Sequence, residues 1–221
     1  MSSSATDTSS RLRITEIFYS LQGESGSAGM PTVFIRLTGC PLRCGYCDTA
    51  YAFQGGEWMD VKDIVSGVSA YRTRYVTVTG GEPLAQRNCH ELLRQLCDAG
   101  YEVSLETSGA LDLSGVDSRV VRVMDLKTPS SGECERNLYT NIGCLSGRDQ
   151  VKFVIADRED YEWSARQVEN YHLADRCEVL FSPSYGQQDA AMLAGWILED
   201  HLPVRFQVQL HKILWGDEPG R

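Results

Sequence analysis

Runs of β-forming residues alternate with amphipathic helical stretches along almost all of this chain, and that alternation limits its fold more than any other feature. The β-type runs are Arg13–Leu21, Thr32–Thr38, Tyr75–Thr79, Glu102–Thr107, Val120–Leu126, Gln150–Ile155, Glu178–Ser182 and Val204–His211. Asp60 stands as an N-cap before Val61, Ile64, Val65 and Val68, which share one helix face at i, i+3, i+4, i+7 spacing. Cys89, Leu92, Leu93 and Leu96 repeat that spacing ahead of Gly100, and Ala190, Leu193, Ala194, Ile197 and Leu198 repeat it ahead of Pro203. Such alternation builds an α/β fold around a mainly parallel sheet. With no internal repeat, long linker or charge block, residues 12–221 read as a single domain behind a disordered polar tail, residues 1–11.

The ends of these runs are polar. Thr79 leads into Gly80-Gly81-Glu82-Pro83, and later runs end in Glu106-Thr107, Asp125-Leu126-Lys127 and Ser182-Pro183. In a barrel of βα units all the C-terminal strand ends gather at one rim, where active sites form. A single polar strand end only shows that it meets water; several of them beside a cysteine-rich loop after Thr32–Thr38 point to a site. In the last run Val204, Phe206, Val208 and Leu210 alternate with Arg205, Gln207, Gln209 and His211, as a strand requires.

Charge and hydropathy exclude other classes. A net charge of −9 argues against a surface that grips nucleic acid by its phosphates. No apolar run approaches the ~20 residues of a membrane helix. The opening MSSSATDTSS lacks the basic start and apolar stretch of a secretory signal, so the chain is expected in the cytoplasm with its thiols reduced.

Eight cysteines therefore need a reason other than disulfides. Cys89, Cys97, Cys134, Cys144 and Cys177 are scattered and read as small buried hydrophobes. Cys40, Cys44 and Cys47 form a tight C-x3-C-x2-C cluster. A structural zinc needs four closed ligands, and no second pair or nearby histidine follows. Cys44-Gly45-Tyr46-Cys47 has the form of a thiol–disulfide pair, yet Asp48–Gly56 runs into a Gly-Gly turn instead of a helix, and Cys40 is left without a role. An iron–sulfur cluster held by three thiolates uses all three and leaves one iron open to a small molecule.

The cysteine loop near the start of a βα chain, with Gly80-Gly81-Glu82-Pro83 one strand later, resembles the radical S-adenosylmethionine superfamily. That resemblance implies a [4Fe-4S] cluster on Cys40, Cys44 and Cys47 whose open iron is chelated by S-adenosylmethionine. It implies that Tyr46 lies near the adenine and that Gly80, Gly81 and Glu82 receive the cofactor's ammonium. Glu106 and Thr107 meet its ribose, and Asp48, Asp125, Lys127, Ser182 and Tyr185 complete the cofactor-binding set.

Flanking motifs narrow the resemblance. Ile17-Phe18-Tyr19-Ser20-Leu21-Gln22-Gly23-Glu24, Phe34-Ile35-Arg36-Leu37-Thr38-Gly39-Cys40, Cys47-Asp48-Thr49 and Gln209-Leu210-His211-Lys212 with Trp215-Gly216 are similar to the 7-carboxy-7-deazaguanine synthase family over nearly the whole chain after residue 12. The family implies a partial TIM-type barrel of about six core parallel strands and three main helices. It implies conversion of 6-carboxy-5,6,7,8-tetrahydropterin into 7-carboxy-7-deazaguanine with loss of ammonia, on the route to queuosine. Leu21, Gln22, Gly23, Glu24, Arg36, Thr79 and His211 are then substrate contacts, and Thr49 meets a Mg²⁺ that also holds the substrate carboxylate. Arg36 shares a strand face with Phe34 and Thr38, where an arginine beside a cofactor suits an anion. A flavodoxin or ferredoxin is implied as reductant, and a homodimer is compatible with Trp163, Trp196 and Trp215. Ser25 replaces the family's glycine after Glu24, which is expected to reshape that loop. An iron–sulfur electron carrier and an activase acting on a protein glycine are the rival readings; the carrier leaves Gly80–Pro83, Arg36 and Thr49 without a task.

Overall fold

The computed structural model describes residues 10–216, Glu218 and Gly220. Residues 1–9 of the expected tail lie outside the described residues, and Arg11 already belongs to the first strand. Nine strands occur among the described residues: β1 (Arg11–Leu21), β2 (Pro31–Leu37), β3 (Glu57–Asp60), β4 (Tyr75–Gly80), β5 (Glu102–Thr107), β6 (Val121–Asp125), β7 (Gln150–Ile155), β8 (Glu178–Pro183) and β9 (Arg205–Phe206). They form one sheet in the order β3-β1-β2-β4-β5-β6-β7-β8-β9. From β2 to β9 every pairing is parallel, while β1 is antiparallel to both β2 and β3. The six longer parallel strands make the partial barrel that the sequence implies.

Side-chain alternation along these strands sorts core from cavity. Val33, Ile35 and Leu37 of β2, Val76 and Val78 of β4, Leu105 of β5 and Val151, Phe153 and Ile155 of β7 are all fully or almost fully buried in the hydrophobic core. They pack with Val61, Ile64 and Val68 of α1 (Val61–Val68), Leu92, Leu93 and Leu96 of α2 (Cys89–Asp98), Tyr161 and Val168 of α3 (Arg158–Asn170), and Leu193 and Ile197 of α4 (Ala190–Glu199). Each buried side chain of this size contributes roughly 1.5–3 kcal/mol, so this outer face holds the sheet together. The alternate positions, including Phe34, Arg36, Thr79, Glu106, Asp125 and Lys152, face a cavity instead.

Several elements differ from expectation. The final run is not a long strand: β9 keeps two residues and the chain enters α5 (Leu210–Trp215). Gln207 still donates its N–H to Phe181 O, but its side chain turns onto the Ser25 backbone and the pairing goes no further. His211 therefore sits on a helical turn, not on a strand face. Five α-helices occur among the described residues, and 13-residue α3 escapes the apolar spacing because Tyr161 and Val168 share its buried face with the polar Asp160 and Ser164. Its available signal is Asp157, which caps the helix by accepting from Asp160 N at 2.9 Å. Asp60 occupies the N-cap position of α1 but makes no side-chain capping bond. Trp163 and Trp196 pack on the core, against Phe153 and Tyr161, and are not a free apolar face.

Candidate active site

A cavity of about 660 Å³ opens at the C-terminal ends of the parallel strands. Its polar floor is tied by Gln22, which donates to Thr77 Oγ1 at 3.1 Å and to Glu106 Oε1 at 3.2 Å, while Thr77 and Ser104 hydroxyls meet at 2.8 Å. Thr79 donates to Glu106 Oε2 at 2.9 Å. The loop after β1 enters from the side, with Glu24 8% exposed and Gly23 pressed against His211 of α5. A Cβ at residue 23 would collide with the His211 ring, so glycine is needed to let helix and loop meet.

The three cysteines line one wall of this cavity. Their loop is seated on the turn after β4: Gly81 donates to Leu37 O and Glu82 N to Gly39 O at 2.8 Å. Gly81 lies so close to Gly39 O and Cys40 that a side chain there would displace the loop. All three thiols are half-buried and free. Burial pushes each of them up, Cys44 to about 11, against the charge of Lys127 and, at Cys47, also that of Arg36. That is opposite to the low-pKa thiol of a disulfide exchanger. Among the described residues no three Cys, His, Asp or Glu side chains converge on one ion. Thiols that each take a separate corner of a cubane do not need to converge.

Also lining this cavity, Phe18 and Phe34 stack with centroids 4.9 Å apart, and the Arg36 guanidinium lies 5.7 Å from the Phe18 ring and 5.8 Å from that of Tyr51. Arg36 Nε donates to Glu16 Oε1 at 2.7 Å, and its terminal nitrogens make no hydrogen bond to the described residues. Asp48 accepts from the Thr49 hydroxyl at 2.8 Å. Burial alone would raise its pKa, but that bond and the charges of Lys152, Lys212 and Arg36 hold it below the usual carboxylate range. Burial pushes the His211 imidazole down, against the pull of Glu24 and Asp48.

Nearly all the positions singled out in the sequence meet here. Leu21, Gln22, Gly23, Glu24, Arg36, Cys40, Cys44, Tyr46, Cys47, Asp48, Thr49, Thr79, Gly80, Gly81, Glu106, Thr107, Asp125, Lys127, Tyr185 and His211 all line the one cavity. Two do not. Glu82 is fully buried, and its carboxylate accepts from Leu84 N, Thr107 Oγ1 and the backbone and hydroxyl of Ser108. It clasps the ends of β4 and β5 together, and these donors already occupy both of its oxygens. Ser182 is 1% exposed, set below the cavity wall. The sequence does not single out Glu16, Tyr51 or Lys152; the signal for Lys152 is a lysine between the buried Val151 and Phe153 of β7.

The donor set fits an iron–sulfur cluster: Cys40, Cys44 and Cys47 bring three free thiols to the same cavity, and the Gly80-Gly81 turn packs against their loop without side chains. Residues 34–174 match the family model of the radical SAM superfamily. The fold is shared with a solved structure of QueE from Escherichia coli (TM-score 0.74, 22% identity, 91% of this chain and 95% of that one). It is shared more distantly with Streptococcus suis SuiB bound to S-adenosylmethionine (TM-score 0.57, 15% identity, 77% of this chain and 48% of that one). Fold, cysteine loop and family model together define a radical SAM protein, with the [4Fe-4S] cluster and S-adenosylmethionine that class carries.

The 7-carboxy-7-deazaguanine synthase of Chlorobaculum tepidum is 43% identical over 96% of this chain and 97% of its own length. That of Koribacter versatilis is 40% identical over 94% and 98%. The chain belongs to the 7-carboxy-7-deazaguanine synthase family.

Proposed function

We infer that this chain converts 6-carboxy-5,6,7,8-tetrahydropterin into 7-carboxy-7-deazaguanine with release of ammonia, in the queuosine pathway. The observation that carries this reading is the Arg36 fork. Its Nε is fixed by Glu16, the Phe18 and Tyr51 rings lie beside it, and its terminal nitrogens, unbonded among the described residues, belong to a side chain that lines the cavity, as a bidentate carboxylate contact requires. Cys40, Cys44 and Cys47 would hold the cluster, which with S-adenosylmethionine supplies reductive cleavage of the sulfonium and hence the means to take a hydrogen atom from substrate.

The protein's own contribution is orientation and exclusion of water. Tyr46, Asp48, Gly80, Gly81, Glu106, Thr107, Asp125, Lys127 and Tyr185 form the cofactor side of the reading. Leu21, Gln22, Gly23, Glu24, Arg36, Thr79 and His211 form the pterin side. Glu106 belongs to both: its two oxygens already hold Gln22 and Thr79, so it fixes the substrate floor while facing the cofactor side. Thr49 offers one hard oxygen to a Mg²⁺ that arrives with the substrate carboxylate and water, since a single neutral ligand does not retain that ion alone.

The wider reading places the chain in the cytoplasm, takes electrons from a flavodoxin or ferredoxin, and pairs two copies. With Trp163 and Trp196 committed to the core, exposed apolar side chains such as Met192 and Leu198 of α4 and Ile213 and Leu214 of α5 are candidates for such a pairing.

Substrate carrying deuterium at C6 tests the function directly. The reconstituted protein is expected to deliver that deuterium into 5′-deoxyadenosine and to release a deazapurine and ammonia. An electron carrier would transfer none, and an activase would take hydrogen from a protein. Formation of 5′-deoxyadenosine at the same rate without the pterin, and without its deuterium, overturns the substrate assignment.

A further inference from the structure

Glu24, in the loop after β1, and Asp125, at the end of β6, reach the cavity from different elements, and Lys152 of β7 stands between them. Lys152 Nζ lies 2.7 Å from Glu24 Oε2 and 3.9 Å from Asp125 Oδ2, and the latter oxygen also accepts from Lys127 Nζ at 2.9 Å. The four side chains are only 10–16% exposed. Burial works against the charge on Lys152, yet Glu24, Asp125 and Glu106 together raise its pKa, so it stays an ammonium.

Each carboxylate is thus held by one oxygen. The other oxygen of each, Glu24 Oε1 and Asp125 Oδ1, is buried and has no hydrogen-bond partner among the described residues, although both residues line the cavity. Buried acceptors are almost always paired, and since both residues line the cavity, a ligand bound there is the source of donors left to these two oxygens. The amino group and ring N–H of a pterin present a donor pair to a carboxylate, and the hydroxyls and ammonium of S-adenosylmethionine are donors as well.

We propose that Lys152 is a positioning residue shared by both ligands: one ammonium anchors Glu24 toward the pterin and Asp125 toward the cofactor. This rests on the function proposed above. Lys152 touches neither ligand in this scheme and acts through the two carboxylates.

Equilibrium binding to the anaerobically reconstituted protein tests it, read by pterin fluorescence and by dialysis of labelled S-adenosylmethionine, with melting curves as a check on folding. Lys152→Met is expected to weaken both ligands at least tenfold. Glu24→Gln is expected to weaken the pterin alone, and the double variant to bind pterin no worse than Glu24→Gln, because the lysine acts through that carboxylate. Loss at one ligand only in Lys152→Met, loss at neither, or additive losses in the double variant overturns the shared anchor. Normal pterin binding by Glu24→Gln instead overturns the substrate site itself, so the two failures are distinct. Should Lys152→Met not melt cooperatively, Lys152→Arg decides: it keeps the charge but moves the donors, so both ligands weaken together, and loss at one or neither overturns the proposal.

Discussion

Glu16 of β1 stands directly opposite Arg36 of β2, with Glu16 Oε1 2.7 Å from Arg36 Nε, because the strand register slips at Thr15. Up to Ile14, even-numbered residues of β1 face the core; beyond the irregularity Ile17 packs there, and Glu16 turns to the opposite face, onto Arg36. The Tyr51 hydroxyl donates to the same carboxylate oxygen at 2.7 Å. Arg36 is thereby oriented through its inner nitrogen and keeps its outer pair for a ligand. Arg36→Ala is expected to raise the pterin dissociation constant at least about thirtyfold, since losing one partner of a buried charged contact costs about 2–5 kcal/mol. S-adenosylmethionine binding should stay within threefold of wild type. Glu16→Gln should lose less, about tenfold, because the guanidinium remains but is held less firmly. Anaerobic titration of both ligands checks this, and unchanged pterin affinity in Arg36→Ala refutes the carboxylate contact.

Iron content distinguishes the three clustered cysteines from the scattered five. Reconstituted protein should hold about four irons and four sulfides per chain. Alanine at Cys40, Cys44 or Cys47 should abolish the cluster absorbance, whereas alanine at Cys89, Cys97, Cys134, Cys144 or Cys177 should leave it in place. Cys89 and Cys177 are buried in the core, so their variants are expected to lose thermal stability without losing iron. Loss of the cluster from any of the five would break the three-ligand assignment.

Thr49 donates to Asp48, which leaves its oxygen lone pairs available to a hard cation. Thr49→Ala should raise the Mg²⁺ concentration needed for half-maximal stimulation by about tenfold or more. Turnover at saturating Mg²⁺ should fall less than turnover at low Mg²⁺. An unchanged Mg²⁺ response, measured by activity against metal concentration, counts against the contact.

Ser25 adopts φ 66°, the left-handed region that favours glycine, and is clamped there by Gln207, which accepts from Ser25 N at 2.6 Å and donates to Ser25 O at 3.0 Å. A non-glycine residue in that region costs about 1–2 kcal/mol. The serine gains only a 3.3 Å contact with the Ser27 hydroxyl. Ser25→Gly should therefore stabilise the protein by about 1 kcal/mol, a rise of ~2–4 °C in melting temperature for a domain of this size. An unchanged or lower melting temperature would show that the clamp, not the conformation, dominates.

Much of this molecule is legible in its sequence because the signals are local. Period-two alternation in Thr32–Thr38 already sets Val33, Ile35 and Leu37 against Phe34 and Arg36, and the structure puts the first three in the core and the last two at the cavity. The C-x3-C-x2-C spacing and Gly80-Gly81 are equally local, since a tight loop and a turn without side chains are properties of neighbouring residues. What tertiary structure alone decided depends on partners distant in the chain. Alternation in Val204–His211 is as clean as in β2, yet the ladder stops at Phe206, and the Gln207 side chain closes on Ser25, 182 positions earlier. Glu82 reads as a ligand and is instead sealed between Leu84, Thr107 and Ser108. Lys152 reads as an oddity in an apolar strand until Glu24, 128 positions away, supplies its counter-charge. Backbone periodicity and short spacings are written residue by residue, whereas the pairing of buried charges is set only when folding brings separate strands to one rim.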